Sequence, residues 1–129
     1  MVMIDPGITF GSTLFFRALH HEPVRMNVDP LLEGSPDQNR DPYDSNQAIP
    51  TLLATRYREE FHSMFPDLTI SETKWFSFIA YPFSGGFKSW SLITERVAQI
   101  VLGLERHLER PLGRLFGFRL LLVVEKKPA

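Results

Sequence analysis

Five consecutive apolar residues near the C-terminus, Leu120 to Val124 in GFRLLLVVEKK, constrain the fold more than any other stretch. A half-buried strand alternates apolar and polar residues, whereas a strand covered on both faces does not. The run predicts a strand covered on both faces, as in an α/β sheet flanked by helices. A second strand is expected at MVMID, Met1 to Asp5, a short apolar run closed by Pro6-Gly7. A third is expected in LTISETKWF, where Leu68, Ile70 and, less regularly, Trp75 alternate with polar neighbours.

Helical spacing fills the intervals. Ser12 is placed to cap a helix through Leu14, Phe15, Ala18 and Leu19 that stops before Pro23. Ser45 or Asn46 is placed to cap one long helix, with Pro50 tolerated in its first turn. Ile49, Leu52, Leu53, Tyr57, Phe61 and Phe65 form its apolar stripe, while Arg56, Arg58, Glu59 and Glu60 face elsewhere. A third helix is expected from about Ser91, burying Val97, Ile100, Val101, Leu104 and Leu108 on one face, with Pro111 and Gly113 closing it. Leu31 to Asp44, rich in Asp, Pro and Gly, reads as a surface loop or lid. Three strands are few for an α/β domain, so the sheet reads as part of a larger one.

At 129 residues the chain is long enough for one domain and short for two. Fourteen basic against 15 acidic residues leave a formal charge of −1, which gives no pull toward phosphate backbones and argues against a nucleic-acid partner. The absence of cysteine excludes disulfides, thiol catalysis and cysteine-ligated zinc. No secretory signal is evident, and the apolar stretch near residue 100 is broken by Arg96, Gln99 and Glu105. A cytoplasmic protein without a membrane span is expected.

His20-His21-Glu22 is the most chemically suggestive triplet. A helical zinc pair needs ligands one turn apart, and adjacent histidines on a helix diverge by about 100°; His62 and His107 bear no spacing relation to them. No metal site is expected. Two readings stay open: imidazoles stabilising the C-terminal end of a helix, or a general base at a cleft mouth. Ser84-Gly85-Gly86 reads as a turn, and Trp75, Phe76, Phe78, Tyr81 and Phe83 as a core or interface face. The mixed charges of ERHLERPLGR read as a solvated helix end. No G-x-G occurs, so the chain carries neither a dinucleotide fingerprint nor a P-loop.

Taken in order, VMIDPGIT, LHHEPVRM, SNQAIPTLL, EFHSMFPDLTI, FSGGF and RLLLVVEKK resemble the C-terminal part of class I SAM-dependent methyltransferases, in a bacterial subgroup with H-H-E-P and N-Q-A-[IL]-P stretches. The resemblance runs over nearly the whole chain, making residues 1–129 a single partial domain on the substrate side of that fold. It implies a Rossmann-like sheet in which MVMID resembles the fifth strand, Leu68 to Lys74 the sixth, and FRLLLVV the seventh, inserted antiparallel between the other two. It also implies S-adenosylmethionine as cofactor and a small-molecule methyl acceptor. The glycine-rich SAM motif, the acid that holds the ribose and the first four strands have no counterpart here.

Ligands of open α/β sheets sit beyond the carboxyl ends of the strands. On that template His20 and His21 are the candidate catalytic residues, and Asp5, Glu22, Asn46 and Gln47 the candidate substrate contacts. With its neighbouring strand absent, MVMID is expected to offer a free edge through which the chain self-associates. The alternative from a different class is a stand-alone, non-catalytic binding or interaction domain, paired across that edge as a homodimer.

Overall fold

The computed structural model describes residues 1–19, 24–31, 46–85 and 91–127. Its elements follow the order β1 (Val2–Pro6), α1 (Phe10–Leu19), α2 (Ile49–Ala54), α3 (Arg58–Met64), β2 (Leu68–Phe76), α4 (Ala80–Phe83), α5 (Glu95–Phe116) and β3 (Arg119–Lys126). The sheet order is β1-β3-β2, and β3 runs antiparallel to both neighbours. β1 and β2 are therefore parallel to each other and separated by the last strand of the chain. The expected position of the C-terminal strand, between the other two and opposed to them, is the one observed.

A β-bulge explains why the pattern around Trp75 is irregular. Ile70 pairs with Val124 and Glu72 with Val123, so Ser71 is the extra residue. The bulge shifts the phase by one, bringing Trp75 onto the same face as Ile70. That face holds Ile70, Trp75, Leu120, Leu122 and Val124, with Ala54 of α2, Phe61 of α3 and Met3 packed against it. A second cluster, Ile8, Phe16, Ala48, Leu52 and Phe118, lies past the end of β1, next to the start of β3.

Coverage of β3 on both faces is not what is found. Leu120, Leu122 and Val124 are buried, whereas Leu121 and Val123 are only half-buried. Their register partners Ile4 and Val2 are 59% and 66% exposed. α2 and α3 cover one side of the sheet; on the other, α5 meets β2 through Lys74 and Glu109, while the β1 side is left exposed.

The helices depart from expectation in three places. α1 begins at Phe10 rather than after Ser12, because Thr9 occupies the capping position: its hydroxyl accepts the N–H of Ser12, and Ser12 Oγ accepts the N–H of Thr9 at 2.8 Å. The long helix after Asn46 is two helices. Thr55 Oγ1 donates back to the carbonyl of Thr51 at 2.6 Å, and the N–H groups of Thr55 and Tyr57 both fall on the carbonyl of Leu52. A β-branched residue bonding back in this way bends a helix, and here the helix ends at that point.

The third departure is the largest. α5 runs through Pro111 and Gly113 to Phe116, and its expected core stripe faces outward, with Ile100 65% and Leu104 62% exposed. The contacts that fix its rotation lie one residue further round. Glu105, Glu109 and Gly113, each four residues apart, form the stripe that meets β2 and the turn after it. Glu109 pairs with Lys74, and a Cβ on Gly113 would overlap the carbonyl oxygen of Trp75. Only glycine lets the helix approach that strand so closely.

Candidate functional site

Of the expected site residues, His20, His21 and Glu22 lie outside the described residues, as do 32–44 of the expected lid. Asp5, Asn46 and Gln47 are described, and Asn46 has a clear structural task. Its Oδ1 accepts the N–H of Arg25 at 2.9 Å and its Nδ2 donates to the carbonyl of Arg25 at 2.8 Å. Oδ1 also accepts the N–H of Ala48, turning the chain into α2. A buried amide satisfied three times by backbone ties two chain segments together. Gln47 is buried beside it. Asp5 is half-buried on β1, opposite Leu120.

The carboxyl ends of β1 and β2 do meet at a cavity of about 350 Å³. Its floor is apolar: Ile8 just beyond β1, Ala54 of α2 and Trp75 of β2, all buried. Its polar lining comes from Thr51, Thr55, Arg58, Thr73 and Arg114. Ile8 donates its N–H to Thr51 Oγ1 at 2.9 Å, which locks the turn after β1 onto α2. Arg58 reaches across from α3, donating Nη2–H to the carbonyl of Ile70 at 2.7 Å and Nη1–H toward Thr73 Oγ1 at 3.4 Å. Arg114 lies over the Trp75 ring, 5.5 Å from its centroid.

A second groove of about 400 Å³ runs along β2 and α5, where Glu72, Lys74 and Glu109 mix with Arg106, His107 and Arg110. Its charges are of both signs and largely solvent-facing, and Lys74 and Glu109 already neutralise each other.

Comparison of the chain with protein-family models, with curated proteins and with solved structures finds no match.

Among the described residues, none supplies the glycine-lined turn that the resemblance implies for S-adenosylmethionine. A SAM site needs a glycine-lined turn open to the ligand, and the glycines near the strand ends are closed by protein. A Cβ on Gly7 would lie 3.1 Å from the main chain of Arg119 and 3.2 Å from Trp75 Cδ1. One on Gly117 would meet Phe76 N at 3.0 Å. Both glycines exist for close packing of backbone. Gly85, at φ 81°, closes the turn after α4, as the sequence suggested for Ser84-Gly85.

Sequence reasoning missed the arginines. Arg58 reads as a residue facing away from an apolar stripe, and nothing local signals that the helix break at Thr55 swings it over β2. The aromatic residues do not form one surface either: Trp75 joins the sheet core, Tyr81 stacks toward Phe118 at 6.1 Å, and Phe83 is exposed. His62 and His107 bond carbonyls near them in the chain, Leu68 at 3.1 Å and Gly103 at 2.9 Å. No group of three metal-ligating side chains occurs among the described residues, and no helix among them is long and apolar enough to cross a membrane.

Proposed function

We propose that the chain is the C-terminal, substrate-side segment of a class I SAM-dependent methyltransferase, serving methyl transfer to a small-molecule acceptor in the cytoplasm and inactive by itself. The observation that carries this reading is the strand order: β1 and β2 are parallel, and β3 is inserted antiparallel between them. Parallel strands joined by a helical crossover belong to α/β sheets. A gap of one strand filled by the chain terminus is the arrangement that the resemblance implies for strands five, seven and six. In that setting His20, His21 and Glu22 follow the first crossover helix, with a histidine orienting or deprotonating the acceptor. The glycine-rich half that holds the cofactor is supplied from elsewhere.

A thermal melt of the purified chain with and without saturating S-adenosylmethionine tests the cofactor half of this reading. A ligand that binds only the folded state raises its stability by mass action. The expected result is a midpoint that S-adenosylmethionine leaves unmoved; an upward shift would overturn the claim that the cofactor site lies outside this chain. The DNA upstream tests the family: a D/E-x-G-x-G frame supports it, and its absence beside a well-folded monomeric chain overturns it.

One observation favours the second reading, a non-catalytic interaction domain that pairs with itself. Met1 and Val124 exchange backbone hydrogen bonds at 2.7 and 2.9 Å, and Gly7 donates to Phe118. Alternation along an antiparallel ladder then turns Met3 and Asp5 toward β3 and leaves the N–H and C=O groups of Val2 and Ile4 pointing outward. Among the described residues no strand pairs with that edge of β1, which also carries exposed apolar side chains.

A further inference from the structure

We infer that the cavity at the carboxyl ends of β1 and β2 binds a small organic carboxylate, held at its charged end by Arg58 and Arg114 and along its apolar body by Trp75 and Ile8. The argument begins with charge. Two guanidinium groups line the cavity, no carboxylate does, and neither arginine is ion-paired among the described residues. A guanidinium carries five N–H donors and no acceptor, so the donors left over after Ile70 and Thr73 are served point to an anion.

The hydroxyls add to the same polarity. Thr51 Oγ1 accepts from Ile8 and Thr73 Oγ1 accepts from Arg58, so each hydroxyl keeps its own proton to donate. The site is thus a set of donors converging on one space. A carboxylate accepts on two oxygens in a plane and matches the planar fork of arginine. Inorganic phosphate would satisfy the donors equally well, but it would leave the floor of Ile8, Ala54 and Trp75 in contact with water or with polar oxygen. A body of benzoate size uses both halves of the site and suits a volume of about 350 Å³ at the lower end of ligand cavities. The floor is pre-formed, since Ile8, Ala54 and Trp75 are already buried and Thr51 is fixed by its bond to Ile8. This assignment does not depend on the methyltransferase reading.

The test is calorimetric titration of the full chain with benzoate, hexanoate, benzyl alcohol and inorganic phosphate. Benzoate or hexanoate should bind, benzyl alcohol should bind at least about tenfold more weakly, and Arg114→Gln should weaken the carboxylate by about tenfold or more, as loss of a charge-assisted bond does. Arg114 is exposed, so loss of its contact with the Trp75 ring should lower the melting temperature by only a few degrees. Thr73→Val, which removes a donor without touching either charge, should weaken binding to a smaller extent. Failure of both carboxylates to bind, binding of benzyl alcohol as tight as benzoate, or an affinity untouched by Arg114→Gln would overturn the assignment. Phosphate binding more tightly than either carboxylate would overturn its organic half.

Discussion

Glu105, deep on α5, accepts the N–H of Ala80 at 2.8 Å with the same oxygen that accepts the N–H groups of Phe78 and Ile79. One carboxylate oxygen thus gathers the three amides that lead into α4, and the residue is 2% exposed. Hydrogen bonds to a charged acceptor are worth roughly twice neutral ones. Glu105→Leu strands three amides, of which that of Ala80 is buried and costs about 1–3 kcal/mol while the two part-buried ones cost less, so the variant should be strongly destabilised. Glu105→Gln keeps an acceptor in place and should cost about 1–2 kcal/mol. Urea denaturation of the two variants checks the order; equal stabilities would show that the amides find other partners.

Two glycines of the same helix should respond oppositely to alanine. Gly113 touches the Trp75 backbone, which cannot yield as a side-chain tip would, so Gly113→Ala should destabilise by about 1–3 kcal/mol through overpacking. Gly103 has nothing within 4 Å of its would-be Cβ. In mid-helix, Gly103→Ala should stabilise by about 0.5–1 kcal/mol through helix propensity. Denaturation midpoints of the pair decide it, and a matching sign at both positions would sink the account of how α5 is seated.

What could be read in advance, and what could not, follows from the range of the forces involved. All three strands were legible because their signals are local: apolar runs bounded by turn residues, and alternation in LTIS. The irregular phase at Trp75 was visible as irregularity, but a bulge at Ser71 depends on the partner strand. α5 failed in an instructive way. Its apolar stripe is a correct reading of periodicity, yet its rotation is set by Glu105, Glu109 and Gly113, whose partners Ala80, Lys74 and Trp75 belong to other elements. The same charges in ERHLERPLGR read locally as solvated, and Arg106 and Arg110 are. Asn46 ties its own segment to Arg25 through both atoms of its amide, a contact that spans 21 residues and has no local signature. The arginines of the cavity were invisible for the same reason.

The start of α1 offers a more modest test. Thr9 Oγ1 accepts the N–H of Ser12 and donates to the carbonyl of Gly117 at 3.1 Å, while Ser12 Oγ donates to the carbonyl of Gly7 at 2.7 Å. The capping pair thereby also fastens the end of β1 to the end of α5. Thr9→Ala should cost about 1–2 kcal/mol, the upper range for a cap because two bonds are lost. Thr9→Ser, which keeps the hydroxyl, should recover most of it; a variant no better than alanine would mean that the methyl group, not the hydroxyl, matters.

The outer edge of β1 makes the last prediction. Val2 and Ile4 point backbone donors and acceptors outward, and Pro6, lacking an N–H, ends any ladder there. A two-fold pairing centred on Met3 sets Val2 opposite Ile4 of the second copy, and vice versa. Each pair would exchange both of its hydrogen bonds while burying side chains that are more than half exposed in one chain. Light scattering behind size exclusion should therefore find a dimer or larger species that dissociates on dilution. Ile4→Lys places a strongly hydrated charge on that edge, the device natural sheets use against pairing, and should yield a monomer with an unchanged far-ultraviolet spectrum. A wild-type chain that stays monomeric at every concentration would show that this edge does not recruit a second copy, and would leave the homodimeric reading without support.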